Sequence, residues 1–237
     1  MELSDRLKTL ARAAADEVEP DMVVGLGSGS TSDAVVRELG RRVGEGLRFT
    51  GVATSERTAA LASSFGIPLR TMDDVETLDL CLDGADEIDP ALNLIKGRGG
   101  ALLWEKVVAA RARRFVVVAA SAKLVPQLGV RMPLPVEVIP FGWHHTATAL
   151  SALAIAPVLR RGEAGTPFLT DGGHYILDCI TGPMADCVDL ATRIKALTGV
   201  VDHGLFIGMA NRSMTVDQHG EITTIDCRRN SGATNGD

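Results

Sequence analysis

The feature that most constrains the fold is a regular alternation of short apolar runs with amphipathic segments in the first half of the chain. The apolar runs predict strands at 22–26, 48–53, 67–71, 78–82 and 115–120. Helical spacing predicts helices at 4–18, 31–39, 55–65 and 101–113, with Gly40 ending the second of them. Strands that alternate with helices form a mostly parallel sheet covered on both faces. The predicted fold is therefore α/β, with an open Rossmann-like sheet.

The pattern changes near Met132, where PLPVEVIPF carries three prolines in one apolar run. Proline cannot donate a ladder hydrogen bond, so this run predicts an edge strand. The next predicted elements are a helix at 146–161, a hairpin of TPFLT and HYILDCI, and a helix at 184–197. Residues 131–207 therefore predict a second, smaller α+β domain beside an α/β domain of residues 1–130 plus 208–237. A last hairpin is predicted in NRSMTVDQHGEITTID, and a frayed tail in CRRNSGATNGD.

Composition excludes several classes of protein. The formal net charge of -6 argues against a general nucleic-acid binder. No run reaches the roughly 18 apolar residues of a membrane span, so no membrane partner is expected. The cysteines form no CxxC pair, which predicts reduced thiols in a cytoplasmic protein without zinc or a disulfide framework.

The first glycine-rich turn, GLGSGST, joins a predicted strand to a predicted helix. It lacks the third glycine of a dinucleotide fingerprint, because Ser30 stands there, and it lacks the lysine of a triphosphate loop. Backbone N–H groups, the hydroxyls of Ser28, Ser30 and Thr31, and the positive end of a helix could together hold one phosphate. The alternative is an ordinary strand–helix turn capped by Ser30 or Thr31.

An acidic turn, DGADEID, follows the predicted strand at 78–82. Asp83 and Asp86 come directly after that strand, at the sheet edge where open α/β folds bind ligands. Glu87 and Asp89 complete a group of carboxylates that repel one another. A solvated turn and a metal site are the alternatives to a substrate site.

A second glycine-rich turn, IKGRGGALLWEKVV, carries Lys96 and then opens a helix. Within that helix Glu105 has apolar neighbours one turn away on either side. Burial of its carboxylate would raise the pKa towards neutrality, as a general base requires. The alternative is a surface pair of Glu105 with Lys106 or Arg98. Lys123, in SAK, follows the apolar run FVVVAA at the same predicted sheet edge, where a lysine is also commonly solvated.

These segments, together and in this order, resemble the ribose-5-phosphate isomerase A family. The resemblance rests on GLGSGST, DGADEID, KGRGGALLWEK, SAK and PLPVEVIPFGW, with weaker similarity in LTDGGHYILD and GLFIGMA. It spans residues 3 to 226. Trp104, His174 and the pair His144-His145 depart from the commoner family pattern.

The resemblance implies an isomerase of ribose 5-phosphate and ribulose 5-phosphate, in the pentose phosphate pathway, without a metal or organic cofactor. It also implies a homodimer or homotetramer. The implied catalytic residues are Glu105, Asp83, Asp86 and Lys96. The implied substrate-binding residues are Ser28, Gly29, Ser30, Thr31, Asp83, Gly84, Ala85, Asp86, Lys96, Gly97, Arg98, Gly99 and Lys123.

A mechanism consistent with these residues moves a proton between C2 and C1 through an enediolate, with Glu105 as base. Lys96 and N–H groups of the 97–100 turn would stabilise the negative oxygen. Asp83 or Asp86 would take a hydroxyl proton, and the Ser28–Thr31 loop would hold the phosphate with Lys123 or Lys8. The alternative functions are a non-catalytic sugar-phosphate sensor, an amino-sugar phosphate deaminase and a coenzyme A transferase.

Overall fold

A six-stranded sheet forms the centre of the computed structural model, which describes residues 3–227. Its strands are β1 (Val23–Leu26), β2 (Thr50–Ala53), β3 (Leu80–Asp83), β6 (Phe115–Ala120), β12 (Arg212–Val216) and β13 (Ile222–Asp226). Their order is β13-β12-β6-β3-β1-β2, and only the β12–β13 pair is antiparallel. The predicted mostly parallel sheet and the final hairpin are confirmed.

Helices cover both faces of this sheet, as predicted. The described helices are α1 (Leu3–Ala15), α2 (Ser30–Gly44), α3 (Glu56–Ser64), α4 (Leu102–Arg111), α5 (Trp143–Ser151) and α6 (Cys187–Lys195), and the first four of them pack on this sheet. In β6, Val116 and Val118 join the core beneath α1 and α2, whereas Phe115 and Val117 join the core beneath α4. The run FVVVAA is apolar because alternate side chains are buried on opposite faces. None of the described helices is both long and apolar enough to cross a bilayer.

Two further sheets complete the molecule. An antiparallel sheet contains β7 (Leu134–Val138), β8 (Ala156–Leu159), β9 (Tyr175–Ile180) and β10 (Val200–His203), in the order β10-β7-β9-β8. It shares a core with α5 and α6, as a smaller α+β unit should. A three-stranded sheet, which the sequence does not predict, contains β4 (Glu87–Ile88), β5 (Leu94–Ile95) and β11 (Leu205–Phe206). The exact domain boundaries stay a prediction.

The prediction of an edge strand in PLPVEVIPF is wrong, because β7 is fully buried between β10 and β9. Pro135 is the only proline inside the strand, and its carbonyl accepts from Gly204 N–H at 2.7 Å. The nitrogen and carbonyl of a strand residue face the same neighbour, so the missing N–H faces the end of β10. The pairing of β7 with β9 therefore loses no hydrogen bond.

The predicted helix at 146–161 is also wrong in its second half. α5 ends at Ser151, and 156–159 form strand β8, which pairs antiparallel with β9. TPFLT is not a strand, since Pro167 makes only an isolated bridge to Arg161. The turn at 170–174 is present, but β8 takes the place predicted for TPFLT as the partner of β9.

The predicted helix end at Gly40 is wrong for a different reason. α2 continues to Gly44, and a Cβ at Gly40 would lie 2.3 Å from the Cβ of Phe65, just after α3. This glycine permits close packing between helices and does not stop one. The predicted strand at 67–71 is reduced to one bridge between Leu69 and Gly51. The predicted frayed tail, apart from Cys227, lies outside the described residues.

Gly40→Ala should destabilise the fold by about 1 to 3 kcal/mol, because the new methyl group overpacks the contact with Phe65. Gly44→Ala is the matched control, since a Cβ at Gly44 meets no atom within 4 Å. Urea unfolding monitored by circular dichroism measures both variants. Equal unfolding midpoints for the two variants would contradict this account of Gly40.

Candidate active site

The predicted site residues meet around one cavity at the carboxyl ends of β1, β3 and β6. Its volume is about 400 Å³. Its lining residues are Ser28, Gly29, Ser30, Thr31, Gly84, Ala85, Asp86, Lys96, Gly97, Arg98, Gly99, Glu105 and Lys123. These are the predicted substrate-binding and catalytic residues with one exception, Asp83.

Asp83 lies behind the cavity, where it holds the surrounding backbone. Its Oδ1 accepts from Ser28 N–H at 3.1 Å, Gly84 N–H at 2.7 Å and the Ser32 hydroxyl at 3.1 Å. A Cβ at Gly27 would lie 2.0 Å from this oxygen, so only glycine lets the loop after β1 approach the carboxylate. Asp83 therefore differs from the sequence-based picture, in which it lines the sugar site.

Lys96 is the centre of a buried charge cluster and is only 3% exposed. Its Nζ lies 2.9 Å from Oδ2 of Asp83 and 3.3 Å from Oε2 of Glu105, and it donates to the Gly84 carbonyl at 2.6 Å. Burial disfavours the cation, but the two carboxylates outweigh burial and raise the pKa of Lys96. The lysine therefore remains charged throughout the range in which enzymes work.

Glu105 lies in the first turn of α4 and is 5% exposed. Burial raises the pKa of its carboxyl to about 8, and the negative charge of Asp83 adds to this rise although Lys96 opposes it. The Lys96 cation is shared with Asp83 and offsets the effect of burial only in part, so protonated and ionised Glu105 are both populated as the pH approaches 8. The predicted apolar surrounding and raised pKa are thus present.

The alternative surface pairing of Glu105 is wrong. Lys106 points away from it and contacts Asp202 Oδ1 and the His203 carbonyl, each at 2.5 Å. Burial lowers the pKa of Lys106 and also lowers that of His203, to about 4. These contacts hold α4 against the end of β10, which fixes the direction of Glu105 on the other side of the helix.

The turn after Lys96 brings backbone groups to the cavity wall. Gly97 and Gly100 have φ values of 104° and 88°, in the left-handed region that favours glycine. The N–H of Arg98 donates to Oδ2 of Asp86 at 3.0 Å, and Lys123 Nζ lies 4.0 Å from Oδ1 of the same carboxylate. Asp86 thus faces the cavity between a cation and the glycine-rich turn.

The first glycine-rich turn presents hydroxyls and a helix N-terminus to the cavity. Gly29 has a φ of 99° and directly precedes α2, in which Ser30 and Thr31 are the first two residues. Their hydroxyls make no hydrogen bond to any other described residue. Together with the positive end of α2, they form a suitable site for a phosphate. Lys8 does not line this cavity; it is exposed and pairs with Asp5.

Ser28 contributes differently from the prediction. Its hydroxyl lies 2.8 Å from Thr54 Oγ1, 2.7 Å from Ser55 Oγ and 3.1 Å from Thr58 Oγ1. Ser55 caps α3, so this hydroxyl cluster ties the first glycine-rich turn to the start of α3. The sequence signal for the cluster is the TSxxT spacing of residues 54–58, directly after β2.

The sequence left a metal site at the acidic turn as an alternative and predicted that the cysteines are reduced thiols. No group of three or more His, Cys, Asp or Glu side chains is arranged to hold a metal ion within residues 3–227. All four cysteines, the last of them at 227, have free thiols. The site can therefore be described from its own carboxylates, lysines, hydroxyls and backbone groups.

The chain is similar to proteins of one family over nearly its whole length. The model of the family described as "Ribose 5-phosphate isomerase A (phosphoriboisomerase A)" matches residues 50–220. The ribose-5-phosphate isomerase A of Synechococcus sp. (strain JA-3-3Ab) is 52% identical over 223 residues, which are 93% of this chain and 97% of that protein.

Solved structures of the same family are similar to this chain in fold. The ribose 5-phosphate isomerase from Plasmodium falciparum has a TM-score of 0.92 at 35% identity, over 96% of this chain and 100% of that one. A D-ribose-5-phosphate isomerase in complex with phospho-erythronic acid has a TM-score of 0.91 at 36% identity, over 95% of this chain and 100% of that one. The chain belongs to the ribose 5-phosphate isomerase A family and is an aldose–ketose isomerase.

Proposed function

We propose that this isomerase interconverts D-ribose 5-phosphate and D-ribulose 5-phosphate through an enediolate, with Glu105 as the general base. The observation that carries the proposal is the position of Glu105, buried at the cavity wall beside the Lys96 cation. A proton next to a carbonyl is removed most efficiently by a base whose pKa lies near the working pH. With its pKa raised to about 8, Glu105 has an ionised fraction near neutral pH, and this ionised form accepts the proton.

The phosphate of the substrate binds at the first glycine-rich turn. The unpaired hydroxyls of Ser30 and Thr31, the N-terminus of α2 and the Lys123 ammonium support this placement. With the phosphate held there, the other end of a pentose extends towards Lys96 and Glu105. A phosphorylated four-carbon acid bound to a solved relative has the same two-ended character, with a phosphate and a carboxylate.

Proton transfer moves a negative charge from Glu105 to a substrate oxygen. Lys96 lies beside Glu105 and stays charged, so it stabilises both the ionised base and the enediolate. Backbone N–H groups of the 97–100 turn add to this stabilisation where no described residue accepts from them, since those of Arg98 and Gly100 donate to Asp86 and to the Gly97 carbonyl. Asp86 exchanges the hydroxyl proton, because its carboxylate lines the cavity, whereas Asp83 orients Lys96 from behind.

The family membership favours isomerisation over the sensor, deaminase and transferase alternatives. Assembly as a homodimer or homotetramer, a cytoplasmic location, and activity without metal or organic cofactor stay predictions from the resemblance. A covalent glutamyl thioester formed with a coenzyme A ester would instead identify a transferase.

Glu105→Gln should lower kcat by about 10²- to 10⁴-fold with a small change in KM, because the amide keeps the shape but cannot accept the proton. The assay follows ribulose 5-phosphate formed from ribose 5-phosphate. In deuterium oxide the wild-type product should gain deuterium from solvent to the extent that the proton on Glu105 exchanges before it is returned to the enediolate. Glu76→Gln, an exposed residue outside the cavity, is the control. Near-normal turnover of Glu105→Gln would remove Glu105 from this role.

Thr31→Ala should raise KM by about tenfold with little change in kcat, since it removes one hydrogen bond to the remote phosphate, worth about 1.4 kcal/mol. Thr31→Ser keeps the hydroxyl and is the matched control. Steady-state kinetics with ribose 5-phosphate measures both variants. An unchanged KM in Thr31→Ala would contradict the placement of the phosphate.

The raised pKa of Glu105 also predicts how stability depends on pH. Between the ordinary pKa of 4.5 and the folded-state pKa of about 8, the unfolded chain has lost the Glu105 proton and the folded protein keeps it. The folded state therefore binds more protons, and the free energy of unfolding falls as pH rises through this window.

Glu105→Gln removes this contribution. The difference in unfolding free energy, wild type minus Glu105→Gln, should decline between these two pH values and become constant above the higher one. Urea unfolding at a series of pH values measures it. Parallel curves for the two proteins would show that the pKa of Glu105 is not raised.

A further inference from the structure

Arg160 connects the smaller antiparallel sheet to the cavity. It follows β8, and its backbone N–H donates to the Ile176 carbonyl of β9 at 2.8 Å. Its Nε and Nη2 donate to the two carboxylate oxygens of Asp178, at 2.9 and 2.5 Å. This bidentate ion pair fixes the guanidinium in one orientation. Both side chains are largely buried.

The remaining side of the guanidinium binds the second glycine-rich turn. Nη1 of Arg160 donates to the Gly97 carbonyl at 2.9 Å and to the Arg98 carbonyl at 3.0 Å. The ring of Phe168 lies 5.8 Å from the guanidinium carbon. A Cβ at Gly100 would lie 2.5 Å from that same ring, so Phe168 and Arg160 hold the turn together.

The two carbonyl contacts determine where the N–H groups of the turn point. In a trans peptide the C=O and the following N–H point in opposite directions. Arg160 does not line the cavity. The carbonyls that accept from its guanidinium point towards Arg160, so the N–H groups that follow them in the chain point away from Arg160. The Arg98 N–H is used by Asp86. The Gly99 N–H makes no hydrogen bond to any other described residue, and Gly99 lines the cavity.

We propose that Arg160, held by Asp178, is a positioning residue for the isomerase, and that it aims the Gly99 N–H at the substrate oxygen that becomes negative. The inference rests on the proposed function, which places that oxygen beside Lys96. Arg160 does not touch the substrate and acts through the peptide between Arg98 and Gly99. An N–H fixed before the reaction stabilises the developing charge without reorganisation.

Asp178 has a second consequence in this arrangement. A small cavity of about 220 Å³ adjoins the site and is lined by Asp86, Arg98, Arg160 and Asp178 among others. Without Asp178, the Arg160 guanidinium could turn through this cavity towards Asp86. The pair with Asp178 prevents this, so that the cation remains on the two carbonyls and Asp86 remains available to the substrate.

The test compares Arg160→Ala, Arg160→Lys and Asp178→Asn with the control Arg161→Ala. Arg161 is the next residue and is exposed, and the one hydrogen bond of its side chain to a described residue goes to the Gly165 carbonyl, at 2.7 Å. Arg160→Ala should lower kcat about 10- to 100-fold with KM changed less than about threefold, since one donor to the transition state is misdirected. Arg160→Lys should show a smaller loss of kcat, and Arg161→Ala should have the kcat of the wild type.

Chemical rescue separates positioning from general stability. Millimolar guanidinium should restore part of kcat to Arg160→Ala, because it can occupy the vacated place between Asp178 and the turn. It should do nothing for Asp178→Asn, which keeps its arginine. Thermal unfolding of each variant is measured in parallel. If Arg160→Ala does not fold, the proposal is tested with Arg160→Lys and Asp178→Asn. Both variants should fold and should have a lower kcat than wild type.

The proposal is overturned if the kcat of Arg160→Ala equals that of Arg161→Ala. If Arg160→Ala does not fold, the same result for Arg160→Lys and Asp178→Asn overturns it. It is equally overturned if guanidinium rescues nothing and the loss of activity follows only the loss of thermal stability. Wild type and Glu105→Gln are assayed alongside. An inactive wild type, or a fully active Glu105→Gln, would count against the proposed function and not against Arg160 alone.

Discussion

The burial of one ammonium group between two carboxylates is the constraint on which the site depends. Lys96 shares its charge between Asp83 and Glu105, and its third contact is the Gly84 carbonyl. A buried ion pair costs desolvation energy, so such a group is a weak source of stability. Its value here is chemical. Burial raises the pKa of Glu105, and one cation shared with Asp83 opposes that rise only in part, which leaves Glu105 with a pKa suited to proton transfer.

The fold supplies this cluster from parts distant in the chain. β3 ends at Asp83, β5 leads to Lys96, and α4 carries Glu105. The small three-stranded sheet fixes the lysine backbone, because the Lys96 N–H donates to the Gly204 carbonyl at 2.9 Å. Glu87, fully buried in β4, accepts the N–H groups of residues 129, 131 and 132, and so attaches the chain that leads into β7.

Much of the arrangement of the site could be predicted from the sequence, because the main sheet is mostly parallel. The residues after each strand of such a sheet meet at one edge, so the turns at 27–31 and 83–86 and the SAK segment after β6 had to be neighbours. The turn at 96–100 follows β5 of the small antiparallel sheet, so this rule does not place it. The apolar flanks of Glu105 likewise predicted its burial. The smaller sheet was harder, since one proline in β7 faces the end of a neighbouring strand, and no local signal shows that.

Partners distant in sequence were the other part that the residues alone did not indicate. Asp83 was expected to touch the substrate, and the structure places it behind the cavity wall, in contact with Ser28, Ser32 and Lys96. Arg160 had no local pattern to distinguish it from Arg161, and only the pairing of β8 with β9 places it on the turn at Gly97. Side-chain spacing predicts which face a residue occupies, but not which distant backbone group it reaches.

The central claim, that burial beside the shared Lys96 cation raises the pKa of Glu105, is tested most directly by observing that carboxyl. ¹³C NMR of protein labelled at the glutamate side-chain carboxyl carbons follows each titration, and the signal absent from Glu105→Gln identifies the residue. The account predicts a transition at a pH of about 8 for Glu105. A transition near the ordinary value of 4.5 would contradict it, because Glu105 would then be fully ionised beside Lys96 at neutral pH.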